Sequence, residues 1–362
     1  PAAPGVSSVP AARAPDLPGR ELGIAGLDVS GDLRLREEFN FSDRHARDRT
    51  RTVLRARLRA SYAVSDHITV GGQVATGDPD DPNSTDMTLS GFDDDLDLSL
   101  DQAWVRYTNG GLTLYGGKFP QIFARTDMLW DGDVVPQGIG GSYRIGLGNG
   151  ASLDARAMYS IVDEASGGPD SHMIGGQAVV SFPLAAHWKG SLAAAYYRYR
   201  LESVAGADSG DIRTNLFADG SYLSGFRLVD GLATLTYSGF GEHWPVSLTA
   251  DYVRNLGAAV SADTGLSLEL AAGRTVEKGE WRLSYAYSRV GVDAVFAAFS
   301  QDNIAFGSNY MLHGANVSYA IRKNVIFDVN YYHYRLLDRA YVGPLAEQDW
   351  VDRLRLNILF NF

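Results

Sequence analysis

Cysteine is absent from all 362 residues. That excludes disulfides, thiolate metal sites and cysteine nucleophiles, and it fits an exported bacterial protein. No run of eighteen apolar residues occurs, so no segment has the makeup of a membrane-spanning helix. Positive charge is in deficit, with 32 Lys and Arg against 43 Asp and Glu, a net −11 that argues against a general nucleic-acid binder. A basic start followed by an apolar core, the mark of a secretory signal, is not seen, so an exported protein would here be read as its mature chain. Catalytic signatures are also missing. There is no G-x-S-x-G, H-E-x-x-H or phosphate-binding loop. The histidines, His45, His67, His172, His187, His243, His313 and His333, are scattered and form no Ser/His/acid pattern, so an enzyme is not expected and no cofactor is implied.

What the chain has is glycine (40), tyrosine (19) and a period of two. Residues 1–25 are rich in Pro and Ala and read as an extended or disordered lead. From residue 26 onward, apolar and polar residues alternate. In 27–41, Leu27, Val29, Leu33, Leu35, Phe39 and Phe41 share one face, while Asp28, Asp32, Arg34, Arg36 and Glu38 share the other. In 350–362, Leu354, Leu356, Ile358, Phe360 and Phe362 alternate with Arg353, Arg355, Asn357 and Asn361. Such a strand is apolar on one side and wet on the other. Further strands fall at 51–64, 67–77, 98–108, 111–118, 138–147, 151–162, 172–183, 187–200, 225–238, 245–256, 265–277, 280–291, 310–322 and 325–337, which makes sixteen.

The connections alternate in length. Seven are short, at 65–66, 109–110, 148–150, 184–186, 240–244, 278–279 and 323–324. Eight are long, at 42–50, 78–97, 119–137, 163–171, 201–224, 257–264, 292–309 and 338–349. A soluble sandwich has no reason to sort its loops this way. A transmembrane barrel does, with short periplasmic turns, long outer loops and an even strand count. The expectation is an all-β, sixteen-stranded antiparallel transmembrane barrel over 26–362, with both termini on the periplasmic side. Closure leaves no unpaired strand edge in lipid. Aromatics fall near both strand ends, with Phe182, Trp188, Trp244, Trp281, Tyr319, Phe327 and Phe362 by the short turns and Phe39, Phe41, Tyr252, Tyr285, Tyr287, Tyr331 and Trp350 by the long loops. Rings with polar tips favour the bilayer interfaces.

Sixteen strands enclose a water-filled lumen. If the barrel closes, the first, second and last strands are neighbours, and their inner faces carry Arg34, Arg36, Arg55, Arg57, Arg59, Arg353 and Arg355. That basic wall either selects ions or pairs with Asp28, Asp32, Glu38 and Asp352 and only keeps the lumen wet. Loop 119–137 holds Phe119, Ile122, Phe123, Met128, Leu129 and Trp130, too apolar a set to hang in solvent. It is expected to pack on the inner wall and expose Asp127, Asp131 and Asp133 to the channel. Acids opposite arginines would set a transverse field across a narrow opening. Net charge favours cations and the arginine wall favours anions.

Several segments carry a resemblance. A-W-V-R-Y (103–107), L-T-L-Y-G-G-K-F-P (112–120), R-T-D-M-L-W-D-G-D (125–133), D-A-V-F-A-A-F (293–299) and L-R-L-N-I-L-F-N-F (354–362) are similar to the putative porin family of bacterial outer membranes. The resemblance runs over roughly residues 26–362. It implies passive diffusion of ions and small hydrophilic solutes, without catalytic residues. Analogy with general porins implies a homotrimer set in outer-membrane lipid and lipopolysaccharide.

Other readings stay open. Loop 78–97 is acidic, and Asp93, Asp94 and Asp95 are a weak calcium candidate whose spacing fits no defined calcium loop. Segment 293–299 suits either a short helix capping the barrel or a contact with a neighbouring subunit. A channel specific for a sugar or a small anion is one alternative, and Tyr196, Tyr197, Tyr199, Tyr331, Tyr332 and Tyr334 would suit sugars, although they better fit alternation between girdle and lumen. A plugged, adhesive barrel is a further rival.

Overall fold

The fold is taken from a computed structural model, which describes residues 20–21, 25–42, 48–92, 95–204, 206–343, 346 and 348–362. The Pro/Ala-rich lead therefore lies almost wholly outside the described residues, as do Asp93, Asp94 and His45.

Sixteen strands form the wall. They are β1 (Leu27–Ser42), β2 (Arg49–Ala63), β3 (Ile68–Thr76), β4 (Leu98–Asn109), β5 (Leu112–Lys118), β6 (Gln137–Gly148), β7 (Ala151–Asp163) and β8 (Ser171–Ala185). The second half comprises β9 (Trp188–Arg200), β10 (Arg227–Tyr237), β11 (Val246–Asn255), β12 (Thr264–Gly273), β13 (Trp281–Val290), β14 (Tyr310–Arg322), β15 (Val325–Leu336) and β16 (Val351–Asn361). Each strand pairs antiparallel with the next, and β16 pairs with β1 from Asp32↔Asn361 to Ser42↔Val351. The sheet thus closes on itself, the sixteen-stranded barrel that the alternating pattern predicts.

The period of two decides which side chains point inward. On β16, Arg353, Arg355, Asn357, Leu359 and Asn361 are buried in the lumen, while Phe360 stays exposed on the outside. Leu35, Leu58, Leu114, Ile139, Leu192, Leu248, Leu270 and Leu283 are likewise outward and exposed. Apolar surface on this scale marks contact with lipid or with another protein. Trp188, Trp244, Trp281 and Phe327 are exposed at the short-turn ends.

Turn chemistry matches turn length. Asn149 and Gly150 join β6 to β7 with φ of 51° and 79°, the left-handed pair that a two-residue hairpin turn requires. At the seam, Gly31 and Phe362 exchange backbone hydrogen bonds of 2.8 and 3.0 Å. A Cβ on Gly31 would lie 2.5 Å from the Phe362 ring, so only glycine lets that ring lie flat across the closure.

Long connections occupy the lumen. A core of side chains from 119–136, 291–309 and the inner faces of β9, β10, β14 and β15 fills part of the barrel. Segment 293–299 contains a 3-10 turn at Ala297–Phe299. Val295, Phe296 and Ala298 there are buried, and inside the barrel Phe299 packs against Trp130 and Phe296 against Tyr199. The segment is thus neither an outer cap nor a surface offered to a neighbouring subunit. Its apolar side chains find their partners within the chain.

Candidate channel constriction

The inward rows of β16, β1 and β2 bring the arginines together. Register sets Arg34 opposite Arg55 and Asp32 opposite Arg57 on β1 and β2, and Arg355 opposite Glu38 across the seam. Like charges directly opposite repel, so the wall requires acids within it. Glu38 is fully buried and binds Arg355 at 2.7 Å, Arg51 at 2.8 Å and Arg353 at 3.7 Å. Asp32, 1% exposed, binds Arg57 at 2.9 Å, Arg55 at 3.0 Å and Arg59 at 3.3 Å. Two further acids arrive from loops. Asp86 pairs with Arg34 and Arg36, the latter at 2.5 Å, and Asp133 pairs with Arg57 at 2.6 Å. Among the described residues eight guanidiniums therefore meet four carboxylates, an excess of positive charge.

Of the acids that sequence pairs with this wall, Asp32 and Glu38 do so. Asp352 instead faces outward, bonded to His333 at 2.7 Å and to Tyr331. Asp133 touches the arginines directly rather than across a gap. Asp131 and Asp127 lie at the junction with the second inward loop. Backbone N–H groups of Asp133 and Asp302 donate to Asp131 at 2.8 and 3.3 Å, and the Asn303 side chain donates to Asp127 at 3.4 Å. Asp95 belongs to the exposed part of its loop. Among the described residues no group of three or more His, Cys, Asp or Glu is arranged to hold a metal.

Apolar residues drive loop 119–136 inward. Trp130 and Phe119 are fully buried, and the Trp130 ring stacks on Phe299 at 5.3 Å. Hydrogen bonds then fix the loop backbone. Gln177 on β8 both donates to the Ala124 carbonyl and accepts from its N–H, each at 2.7 Å. Arg156 donates to the Ile122 carbonyl at 2.8 Å.

The second inward loop, 291–309, is fixed by side chains that sequence reasoning missed. Asn83 donates to the Ser300 carbonyl at 2.9 Å. Arg213 donates to the carbonyls of Ala297, Ser300 and Gln301 at 3.1, 3.0 and 2.9 Å. Asn215 donates to Val292 and Val295 and accepts from the Ala297 N–H. Asn303 at the loop tip meets the wall, its carbonyl taking Arg353 at 2.9 Å and its side-chain oxygen taking Arg355 at 3.0 Å. The one signal for this loop was its apolar run, which matches that of 119–137.

Electrostatics divide the loop acids. Asp133 is half-buried, which opposes ionisation, but Arg57, Arg55 and Arg34 outweigh that and hold its carboxyl below the usual range. Asp86 is depressed by the same balance, with Arg34 and Arg36 the main cations. At Asp131 burial comes first, and Asp302, Asp127 and Asp133 reinforce it, so its carboxyl is pushed well above the usual range.

Beside the loop tips lies an open recess. It is lined by Asp127, Glu269, Arg282, Asn316, Asn330 and Tyr332, among others. Glu269 and Arg282 are paired there at 2.9 Å. The described histidine–acid contacts lie elsewhere, His243–Glu280 at a short turn and His333–Asp352 on the outer face.

A closed sixteen-stranded barrel with a charged inner face and two connections folded into its lumen has the fold of an outer-membrane channel. A family profile described as "Putative porin" matches residues 36–221, just over half of the chain, and the chain belongs to that family. Solved structures agree in fold. OprB of Pseudomonas putida at high pH superposes with a TM-score of 0.59 at 14% identity, covering 93% of this chain and 94% of that one. OmpF of Salmonella typhi in complex with daunomycin gives 0.53 at 15% identity, with 93% and 97% covered. The outer membrane channel DcaP of Acinetobacter baumannii gives 0.52 at 14% identity, with 93% and 98% covered. No curated protein matches the chain. The family and fold are those of channels, which are typically not enzymes.

Proposed function

We propose that the protein is a passive diffusion channel for ions and small hydrophilic solutes in the outer membrane of a Gram-negative bacterium. The observation that carries this reading is the inner face, a wall of eight guanidiniums and four carboxylates that borders loops folded into the lumen. A protein that needed only a packed core would not line its interior with that much charge, because buried ion pairs stabilise little against their desolvation. Arg34, Arg36, Arg55, Arg57, Arg59, Arg353 and Arg355 form the pore-lining wall, and Asp127, Asp131 and Asp133 hang from the constriction loop. With guanidiniums in excess, anions are preferred. The short turns and both ends of the barrel chain face the periplasm. The outer apolar band meets lipid and lipopolysaccharide and, in a homotrimer, neighbouring subunits. No reaction is catalysed.

A channel specific for one class of solute is a second reading. The recess favours it, because Asn316, Asn330 and the Glu269–Arg282 pair place fixed donors and acceptors beside the loop tips. Liposome swelling with neutral sugars of rising size separates the two. A general channel gives rates that fall smoothly with size, whereas a specific one breaks the series for one stereochemistry. Liposomes carrying folded protein that swell with neither would contradict both.

A further inference from the structure

Across the lumen from the arginine wall lies a second charged cluster, and among the described residues no cation pairs with its two carboxylates. Asp230 on β10 and Asp251 on β11 point inward and are 2% and 1% exposed. Register sets Asp230 opposite Val253 and Asp251 opposite Leu232, which makes the two acids diagonal neighbours on one face. Their carboxyls are within hydrogen-bonding reach of each other. On the other side of Asp230, β9 sets Tyr197 opposite Leu228, so Tyr197 continues the diagonal row. Its hydroxyl is fully buried and feels both carboxylates. From the lumen, the Thr126 hydroxyl of the constriction loop donates to Asp251 Oδ2.

Three oxygens in this cluster, Asp230 Oδ1, Asp251 Oδ1 and the Tyr197 hydroxyl, have no hydrogen-bond partner. Arg156, a guanidinium near Tyr197, is engaged by Asp154 at 2.9 Å and by the Ile122 carbonyl at 2.8 Å. Two buried carboxylates in contact must shed charge, either to a proton or to a cation. A shared proton bridges the two carboxyls but leaves the buried Tyr197 hydroxyl without a partner. A hard cation takes oxygen ligands from carboxylates and hydroxyls and fills its remaining positions with water.

We propose that Asp230, Asp251 and the Tyr197 hydroxyl form a site for a hard divalent cation of the calcium class, behind the constriction loop. Two carboxylates and one neutral hydroxyl make a weak site, so half-saturation falls at roughly 10⁻⁴ to 10⁻³ M. Through Thr126 the bound ion draws loop 119–136 onto β10 and β11. The ion is thus a stay for the loop that narrows the channel, on a different element from the acidic loop 78–97.

The test uses the full chain, purified in detergent, stripped with EDTA and titrated with calcium chloride alone. Equilibrium dialysis should show bound calcium, with a rise of several degrees in the melting temperature. Asp230→Asn and Asp251→Asn should each weaken binding roughly tenfold or more, because affinity follows ligand charge. Tyr197→Phe keeps the ring packing, so it should melt like the stripped wild type yet bind calcium several-fold more weakly. Calcium binding retained in all three variants would place the ion elsewhere and overturn the assignment. No bound calcium and no melting shift would overturn it too, and would leave a shared proton as the way the two acids are neutralised.

Discussion

Glu38 balances three guanidiniums from full burial. Removing one partner of a buried charge set leaves the others uncompensated, at about 3–5 kcal/mol. Glu38→Gln should therefore lower the heat stability of the folded barrel markedly, measured as the temperature at which its compact electrophoretic form is lost. Asp133 is less deeply placed, and its partner Arg57 also binds Asp32. Asp133→Asn should cost less stability and shift the reversal potential further toward anions, since it leaves eight guanidiniums against three carboxylates. Trp130 acts through packing alone. It is fully buried against Phe299, Tyr197 and Tyr199, so Trp130→Ala should cost about 3–5 kcal/mol of loop docking. The readout is larger and noisier single-channel conductance. An unchanged trace would mean that the loop does not narrow the path.

The two inward loops are the elements whose position depends on pH. In the docked state Asp131 holds its proton more tightly than a released loop would. The stability this adds is complete below the ordinary value of 3.8 and is lost as pH rises through the raised one. Asp133 works in the opposite direction, adding stability above 3.8 that is lost as pH falls through its depressed value. Both are favourable in mild acid. Hydrogen exchange in 119–136 and 291–309, corrected for its intrinsic pH dependence, should therefore be slower at about pH 5 than at about pH 8. Equal protection at both would show that Asp131 does not hold the junction. The seam is a separate element. Gly31→Val would drive a side chain into the Phe362 ring and the Arg57 carbonyl, so slower closure of the barrel during refolding is expected.

At the scale of the molecule, strand number, closure and the inward arginine rows were legible because each rests on a period of two. Arg34, Arg55 and Arg355 had to share a wall once β16 met β1. Their partners were less visible. Glu38 could be read from its row, but Asp86 comes from a loop with no periodicity and reaches Arg34 across 52 positions. Asn303 reaches Arg353 across 50 positions, and nothing in either segment's spacing announces the contact. The inward fold of 119–136 could be argued from its apolar content. That of 291–309 carried the same signal, but an apolar loop fits a cap, an interface or a lumen equally well until its partners are known.

The proposed channel is a water-filled path whose charged wall carries more guanidinium than carboxylate. The most direct test is the reversal potential of the purified, folded protein in a planar bilayer under a salt gradient. Steady ohmic steps and a reversal potential of the sign for anion preference are expected. A membrane that stays silent would show that the loops seal the barrel, and a cation-selective potential would show that the arginine wall does not govern the path.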